Sequence, residues 1–322
     1  DRKGILIQVE VPTWGPDTFR ELEGDAFEAV AANGLEQLRE MISRERNHPC
    51  VFSWGLCNEV DGQNPAAREF VRRMLREAKR LDPGRLCSYA SNSLQRTPER
   101  DVAGEMDFIE WNEYYESWYG GDPGTLRRNL EAIHAAFPDK PVVISEYGYC
   151  ACTADRPEND PRRIAILATH NAVFRDFPWV GGLIFFDYND YRTHLGDKGA
   201  GVMKQRVHGV VDVTGARKPS FEALRGESSP VESLTVVRKG GKRSAAFRTR
   251  RTVPAYALRG YRLRWVVYGN GGIPLERREI PLPDIDPGES AEVALDIREK
   301  DLRRLRVDLV RPTGFSAATA FD

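Results

Sequence analysis

Residues 48–59 read His-Pro-Cys-Val-Phe-Ser-Trp-Gly-Leu-Cys-Asn-Glu, an apolar, strand-like stretch that ends on Asn58 and Glu59. A second apolar stretch, residues 141–148, reads Pro-Val-Val-Ile-Ser-Glu-Tyr-Gly and delivers Glu146 near its end. In a barrel of parallel strands, the carboxyl ends of the strands meet at one face, where catalytic side chains gather. Two carboxylates placed in this way predict cleavage of a glycosidic bond, with Glu59 as the acid and Glu146 as the nucleophile.

Strand-like runs alternate with helical patterns over the first two-thirds of the chain. Apolar side chains recur every three or four residues in the predicted helices, which cover residues 27–44, 66–81, 125–137 and 162–174. Short apolar runs predict the strands, at residues 5–11, 51–56, 86–90, 107–111, 142–145 and 180–186. Repeated strand–helix units indicate parallel pairing, so this part of the chain is predicted to be an α/β domain.

The pattern changes near residue 226. From residue 231 onward, short alternating runs are separated by turn residues such as Gly240-Gly241 and Asp286-Pro-Gly288. This spacing is typical of an antiparallel sandwich. We therefore predict two domains, an α/β domain over residues 1–226 and an all-β, immunoglobulin-like sandwich over residues 227–322.

Composition narrows the classes of function. The chain has 322 residues, of which 41% are hydrophobic and 30% charged, with a net charge of -1. Such a chain is globular and has no basic excess that would recruit nucleic acid or an anionic membrane. Its longest apolar stretch, residues 179–186, is too short to span a bilayer. The cysteines lack zinc-binding spacing, and the predicted chemistry needs no metal or other cofactor.

Several motifs resemble segments of glycoside hydrolase family 2. Residues 48–59 are similar to its acid/base signature, and residues 141–148 to its nucleophile signature. Further matches occur to its third barrel strand, its β-glucuronidase branch and its closing loop with the last helix, at residues 3–12, 112–119 and 209–219. The resemblance covers about residues 1–225. It implies a (β/α)8 TIM barrel, of which this chain holds strands three to eight.

The resemblance also implies roles for single residues. Glu146 is expected to form a covalent glycosyl-enzyme, with retention of configuration, and Glu59 to act as acid and then base. Asn58 is expected to contact the sugar 2-hydroxyl, while Tyr114 lies near the nucleophile. The remaining expected substrate contacts come from aromatic and polar side chains near strand ends, namely Trp14, Trp111, Asn112, Phe186 and Arg206.

Two departures from the family pattern bear on the sugar. Glucuronidases carry Asn-x-Lys after the eighth strand to hold the sugar carboxylate, whereas residues 204–209 read Lys-Gln-Arg-Val-His-Gly. Glu113, in addition, aligns with an arginine of those enzymes. A β-galactoside is therefore the expected substrate of an exo-acting enzyme. The alternatives are a β-glucuronidase, with an anion met by Lys204, Arg206 or His208, and a non-catalytic carbohydrate-binding or scaffold fragment.

Six predicted strands leave the barrel two strands short. We expect the missing N-terminal strands to come from the rest of the protein or from another chain, because open strand edges beside an apolar interior favour aggregation. The expected ligand is a carbohydrate, and a homo-oligomer is compatible with this interpretation.

Overall fold

The structure is a computed structural model that describes residues 1–149, 159–193, 205–298 and 301–322. The chain divides into two compact units, Lys3–Ala223 and Leu224–Asp322. The division falls inside the helix Pro219–Glu227. Within the described ranges, no helix has the length and apolarity that crossing a bilayer requires.

The first unit contains six strands that form one sheet: β1 Ile7–Glu10, β2 Val51–Val60, β3 Leu86–Ser91, β4 Ile109–Glu113, β5 Val142–Tyr147 and β6 Val180–Phe185. Its longer helices are α1 Gly24–Glu45, α2 Pro65–Leu81, α3 Pro123–Ala136 and α4 Asn159–Arg175. Two short 3₁₀ helices, Pro98–Arg100 and Val102–Glu105, precede β4. A two-residue antiparallel pair, β7 Tyr191–Arg192 and β8 Gln205–Arg206, and the helix α5 Pro219–Glu227 follow β6.

The six strands pair in the order of the sequence, β1 through β6, and every pair is parallel. Helices α1, α2, α3 and α4 lie between successive strands, as parallel connections require. This confirms the predicted α/β class and the six predicted strands. Their assignment as strands three to eight of a barrel stays a prediction.

The helix starts follow from local sequence. Asn64 caps α2, because its side-chain oxygen accepts hydrogen bonds from the amides of Ala66 and Ala67 at 2.8 and 3.1 Å. Asp122 caps α3 in the same way, accepting from the amide of Thr125 at 2.7 Å. In each case a proline follows at the first helical position, where no backbone donor is needed.

Several strands run further than the sequence pattern predicts, and β5 continues to Tyr147, two residues beyond its predicted end. β2 continues to Val60, so Asn58 and Glu59 lie inside the strand, whereas the prediction ended it at residue 56. β4 begins two residues later than predicted and includes Asn112 and Glu113. A pattern based on apolar runs does not extend a strand over polar residues. Asn58, Glu59 and Asn112 nevertheless belong to strands, and their side chains bond to polar groups of other strands.

The two edge strands carry exposed apolar side chains. Ile184 of β6 is 42% exposed. On the opposite edge, Ile7 of β1 is 44% exposed, and the preceding Ile5 and Leu6 are exposed as well. In the described part of the chain, β1 and β6 each have a sheet neighbour on one side only. Their apolar side chains therefore lack the cover that a closed sheet would give.

The second unit is all-β. Its strands are β9 Val231–Lys239, β10 Lys242–Thr249, β11 Arg262–Tyr268, β12 Pro274–Pro281, β13 Ser290–Ala294, β14 Arg304–Val310 and β15 Ser316–Phe321. They form a three-stranded sheet, β13-β10-β9, and a four-stranded sheet, β12-β11-β14-β15, both antiparallel. Side chains of both sheets, including Phe247 and Trp265, share one buried core. The immunoglobulin-like topology stays a prediction.

Candidate active site

Two carboxylates lie at the same end of the parallel sheet. Glu59 is the next-to-last residue of β2, and Glu146 is the next-to-last residue of β5. Two strands separate β2 from β5 in the sheet. Nevertheless, the side-chain nitrogen Nδ2 of Asn58 lies 3.4 Å from Glu146 Oε1. The sheet therefore curves enough to bring these strand ends together. The two predicted acids therefore share one site.

An amide bridge connects the two carboxylates. Asn112 Nδ2 donates to Asn58 Oδ1 at 3.0 Å and to Glu59 Oε1 at 3.2 Å. Its own oxygen accepts from the hydroxyl of Ser145 at 2.7 Å, which fixes the orientation of the amide. Because amide donors hold an oxygen of each acid, both carboxyl groups have defined positions before any ligand binds.

The backbone at Glu59 is left-handed, with φ of 54°. In a regular strand, neighbouring side chains point to opposite faces. The β2–β3 register shifts on both sides of Asn58, and together with the left-handed residue this breaks the alternation. Asn58 and Glu59 can then both face the site. A non-glycine residue held in this region costs about 1–3 kcal/mol, and such strain is concentrated at functional sites.

Glu146 lies in a half-buried, donor-rich position. The phenol of Tyr114 donates to Glu146 Oε2 at 2.5 Å, while Asn58 donates to Oε1. Burial raises the pKa of Glu146 to about 7, the Tyr114 bond opposes this rise, and the negative charge of Glu59 adds to it. Burial also raises the pKa of Tyr114 well above its usual value, so its proton stays available to Glu146.

A cavity of about 390 Å³ lies above the two acids. Its walls are largely aromatic, with polar groups at the floor: Trp14, Asn58, Glu59, Trp118, Tyr119, Glu146, Phe186, Tyr191 and Arg206. Six of these nine residues are among the predicted site residues. Trp118 and Tyr119 belong to the motif at residues 112–119, but sequence reasoning assigned them no separate role. Tyr191 was missed, although it closely follows the aromatic end of β6.

Arg206 is the one basic residue among these lining residues. It pairs with Tyr191 across the β7–β8 ladder, and its Nη1 lies 3.4 Å from the Tyr191 hydroxyl. Its guanidinium carbon is 5.7 Å from the ring centroid of Trp118. Arg206 thus extends over aromatic side chains into the cavity, where it can meet an anionic group. Lys204 lies outside the described residues.

Hydrogen bonds to two buried charged side chains, Arg163 and Asp190, fix the segment that carries Arg206. Arg163 of α4 donates to the carbonyl of Val207 at 2.7 Å and is itself paired with Asp160. Two residues further on, Gly209 donates its amide to Asp190 Oδ1 at 2.9 Å. A side chain at Gly209 would come within 2.3 Å of the Asp190 backbone, so only glycine allows this approach. These contacts set the position of Arg206.

A Glu–His–Glu cluster, in which Glu113 and His170 are buried and Glu116 is partly exposed, anchors the loop after β4. Glu113 accepts from the amide of Tyr115 at 2.6 Å and lies 2.8 Å from His170 Nδ1. The second ring nitrogen of His170 is 3.3 Å from Glu116. Burial by itself lowers the pKa of His170, but the bonds to Glu113 and Glu116 outweigh it and raise the pKa above its usual value. The cluster fixes the loop that presents Trp118 and Tyr119.

Trp111 does not line the cavity, which corrects the prediction that it contacts the substrate. Its side chain is fully buried, and its ring meets Tyr115 edge-on at 6.2 Å. The neighbouring Asn112 faces the acids, and a register shift in β4–β5 lies between these two residues. Trp111 therefore packs away from the site. Asn112 and Tyr114 lie beneath the cavity, where they bond to the acids and do not line its wall.

The arrangement is suited to acid–base and nucleophilic chemistry. It offers two carboxylates, one held by a phenol and an amide, beneath an aromatic cavity with a guanidinium at its wall. Across the part of the chain that the structure describes, no group of three or more His, Cys, Asp or Glu side chains is placed to hold a metal ion.

Comparison with known proteins finds a family resemblance in the first unit. Residues 16–159 match the family model for the TIM barrel domain of glycosyl hydrolases family 2. The first unit, whose six strands form one parallel sheet, therefore contains a segment similar to that domain.

Similar proteins include β-glucuronidases. That of Bacteroides fragilis is 35% identical over 154 residues, which are 46% of this chain and 20% of that protein. That of Streptococcus agalactiae is 28% identical over 219 residues, which are 61% of this chain and 36% of that protein. The solved structure of a β-glucuronidase from an uncultured Clostridium species has a TM-score of 0.61 at 23% identity, covering 70% of this chain and 41% of its own. The chain thus matches only about a fifth to two-fifths of the length of these relatives.

Proposed function

We propose that this chain carries the catalytic acids of a retaining exo-β-glycosidase that hydrolyses β-glucuronides. The observation that carries the proposal is the joining of Glu59 and Glu146 by Asn58 and Asn112 at the floor of one cavity. The match of residues 16–159 to family 2 and the β-glucuronidase relatives support it.

The reaction has two steps. Glu146 attacks the anomeric carbon and forms an ester bond while the glycosidic bond breaks, and the released aglycone oxygen takes the proton of Glu59. Glu59 then removes a proton from water, whose oxygen attacks the same carbon and displaces Glu146. Two inversions give net retention. Tyr114 and Asn58 hold the two oxygens of Glu146, so the nucleophile needs little reorganisation before it attacks.

The substrate assignment changes from the sequence expectation of a β-galactoside. The relatives support the alternative, a β-glucuronide. Arg206 at the cavity wall offers the charge-assisted hydrogen bonds that a sugar carboxylate accepts. Glu113, which was taken to disfavour such a substrate, is buried against His170 and the amide of Tyr115 and does not line the cavity. Its charge therefore does not oppose a carboxylated sugar.

Substrate preference tests the proposal on the full-length natural protein. We expect 4-nitrophenyl β-D-glucuronide to be cleaved in preference to the β-D-galactoside. Arg206→Leu should lower this preference by about 10- to 100-fold, since a hydrogen bond to a charged group contributes about 1.5–3 kcal/mol. Arg206→Lys should retain part of it. Arg192→Leu, on the same β7–β8 pair but exposed and outside the cavity, is the matched control.

Two outcomes would contradict the proposal. The first is a preference of the unmodified protein for the galactoside. The second is an equal loss on both substrates when Arg206 is replaced. The mechanism has its own test, because a 2-deoxy-2-fluoro-glucuronide should label Glu146 and NMR should show the β-anomer as the first product. Labelling of another carboxylate, or the α-anomer first, would overturn the assignment of Glu146.

We also propose that further polypeptide covers β1 and β6 in the active protein. Exposed Ile7 and Ile184 on these edges support this, as does the lack of a second sheet neighbour for either strand in the described residues. Unpaired backbone groups and apolar side chains at a sheet edge invite pairing with another strand.

A further inference from the structure

We infer that Trp14 is a positioning residue for the acid/base Glu59 and the surface on which a planar, aromatic leaving group rests. The inference rests on the proposed glycosidase function and concerns the same site. Trp14 Nε1 donates to Glu59 Oε2 at 2.8 Å. Asn112 holds the other oxygen of Glu59. Trp14 therefore completes the pair of donors that orients this carboxyl group.

The position of Trp14 is set by its backbone. The amide of Asn58 donates to the carbonyl of Thr13 at 2.8 Å, and the amide of Gly15 donates to the carbonyl of Asn58 at 3.1 Å. Trp14 thus continues the parallel pairing of β1 and β2 as a single bridge opposite Asn58. Gly15 has φ of 111°, a conformation that other residues rarely adopt. The chain is shaped here to hold Trp14 in register with the acid.

Trp14 lies on the leaving-group side of the cavity. During the first step the aglycone oxygen must come within hydrogen-bonding distance of Glu59, which Trp14 contacts directly. Arg206 contacts Trp118, and the rings of Trp118 and Phe186 both contact Tyr114. Tyr114 in turn donates a hydrogen bond to Glu146. The cavity therefore has a Glu146 side for the sugar and a Glu59 side for the aglycone.

The chemistry of the Glu59 side favours an aromatic aglycone. Trp14 is 52% exposed and lines the cavity. Residues 11–18 contribute no other side chain to the described lining of the cavity, so this segment presents an indole face there and not a set of polar groups. A sugar aglycone needs several hydrogen-bond partners, whereas a flat ring needs only a stacking face.

Two substitutions separate the roles of Trp14 in the full-length natural protein. Trp14→Phe keeps an aromatic face but removes the N–H donor, while Trp14→Leu removes both. For Trp14→Phe, kcat/KM should fall more on glucuronides with poor leaving groups than on those with good ones, by about 3- to 10-fold. For Trp14→Leu, the ratio of kcat/KM for aryl over methyl glucuronides should fall by about a further 3- to 10-fold. Phe315→Leu, a similarly exposed aromatic of the second unit, is the control for general effects.

The outcomes are distinguishable. Equal losses on every substrate in both variants would overturn the inference and leave the glycosidase assignment standing. The unmodified protein could instead cleave disaccharides faster than aryl glucuronides, with both activities lowered equally by replacement of Trp14. That result would overturn the proposal that the aglycone is aromatic. Inactivity of the unmodified protein on all glycosides would overturn the proposed function and this inference together.

Discussion

Replacing Glu146 with glutamine should make the protein more stable at neutral and alkaline pH while abolishing turnover. Glu146 has a pKa of about 7 against an ordinary value of 4.5, chiefly because of burial. Each pH unit of such a difference corresponds to about 1.4 kcal/mol, so keeping the carboxylate ionised costs the native state up to about 3 kcal/mol. Glu146 is only half-buried, and solvent screening reduces this free-energy difference to about 1–2 kcal/mol. Glutamine carries no charge, so the variant does not have the destabilisation that an ionised carboxylate causes at this position.

The sign and the pH window follow from proton linkage. Between pH 4.5 and about 7 the native state binds more protons at Glu146 than the unfolded state does. The free energy of unfolding therefore falls as the pH rises through this window. The destabilisation by the ionised Glu146 reaches its full value above about pH 7. The stability of Glu146→Gln relative to the unmodified protein should grow from near zero at pH 4.5 to its full value at pH 8.

Chemical denaturation of the two proteins in parallel at pH 5, 6, 7 and 8 measures this difference. The Glu146 charge also raises the pKa of Glu10, so its removal adds to the difference in the same direction. Glu131→Gln is the control, because Glu131 lies exposed on α3 and stays in water in both states. A stability difference that does not change with pH, or a variant less stable than the unmodified protein at pH 8, would refute the reasoning. Loss of turnover is required as well, since the amide cannot form the glycosyl ester.

Other expected outcomes test the acid, the pH dependence, the Glu–His–Glu cluster and the sheet edges. Glu59→Ala should lose far more activity on poor leaving groups than on good ones, and azide should restore turnover; equal losses without rescue count against it. Because Glu146 must be ionised to attack, kcat/KM should drop about tenfold for each pH unit below about 7, and a flat profile there contradicts this. His170→Ala should destabilise the protein by about 3–5 kcal/mol, since Glu113 is left buried without its partner. Because the pKa of His170 is raised, its stabilising contribution is complete below the usual histidine pKa and declines as the pH rises through the raised value, so the loss measured by denaturation should be larger at pH 6 than at pH 9. Residues 1–322 expressed alone should not give a stable, active enzyme, and a soluble, fully active monomer would refute the proposed covering of β1 and β6.

The sequence by itself determined the class of fold and the two acids. Alternating apolar runs and helical patterns are properties of neighbouring residues, so they predicted six parallel strands without any knowledge of tertiary contacts. Glu59 and Glu146 each stand at the end of such a run, and parallel strands bring their carboxyl ends to one face. The shared site of these two acids could therefore be expected before the structure was seen.

Only the tertiary structure decided which side chains face the cavity. Trp111 and Asn112 are adjacent in β4 and so point to opposite faces of the strand. Only the packing of the sheet decides that Asn112 meets the acids and Trp111 the core. Similarly, Glu113 pairs with His170 from a distant helix, and Trp14 bonds to Glu59 from another strand end. Residues 45 or more positions apart make these contacts, and such contacts depend on strand register and sheet curvature. Neither property is present in a local pattern of apolar and polar residues, because both arise only when the strands pair.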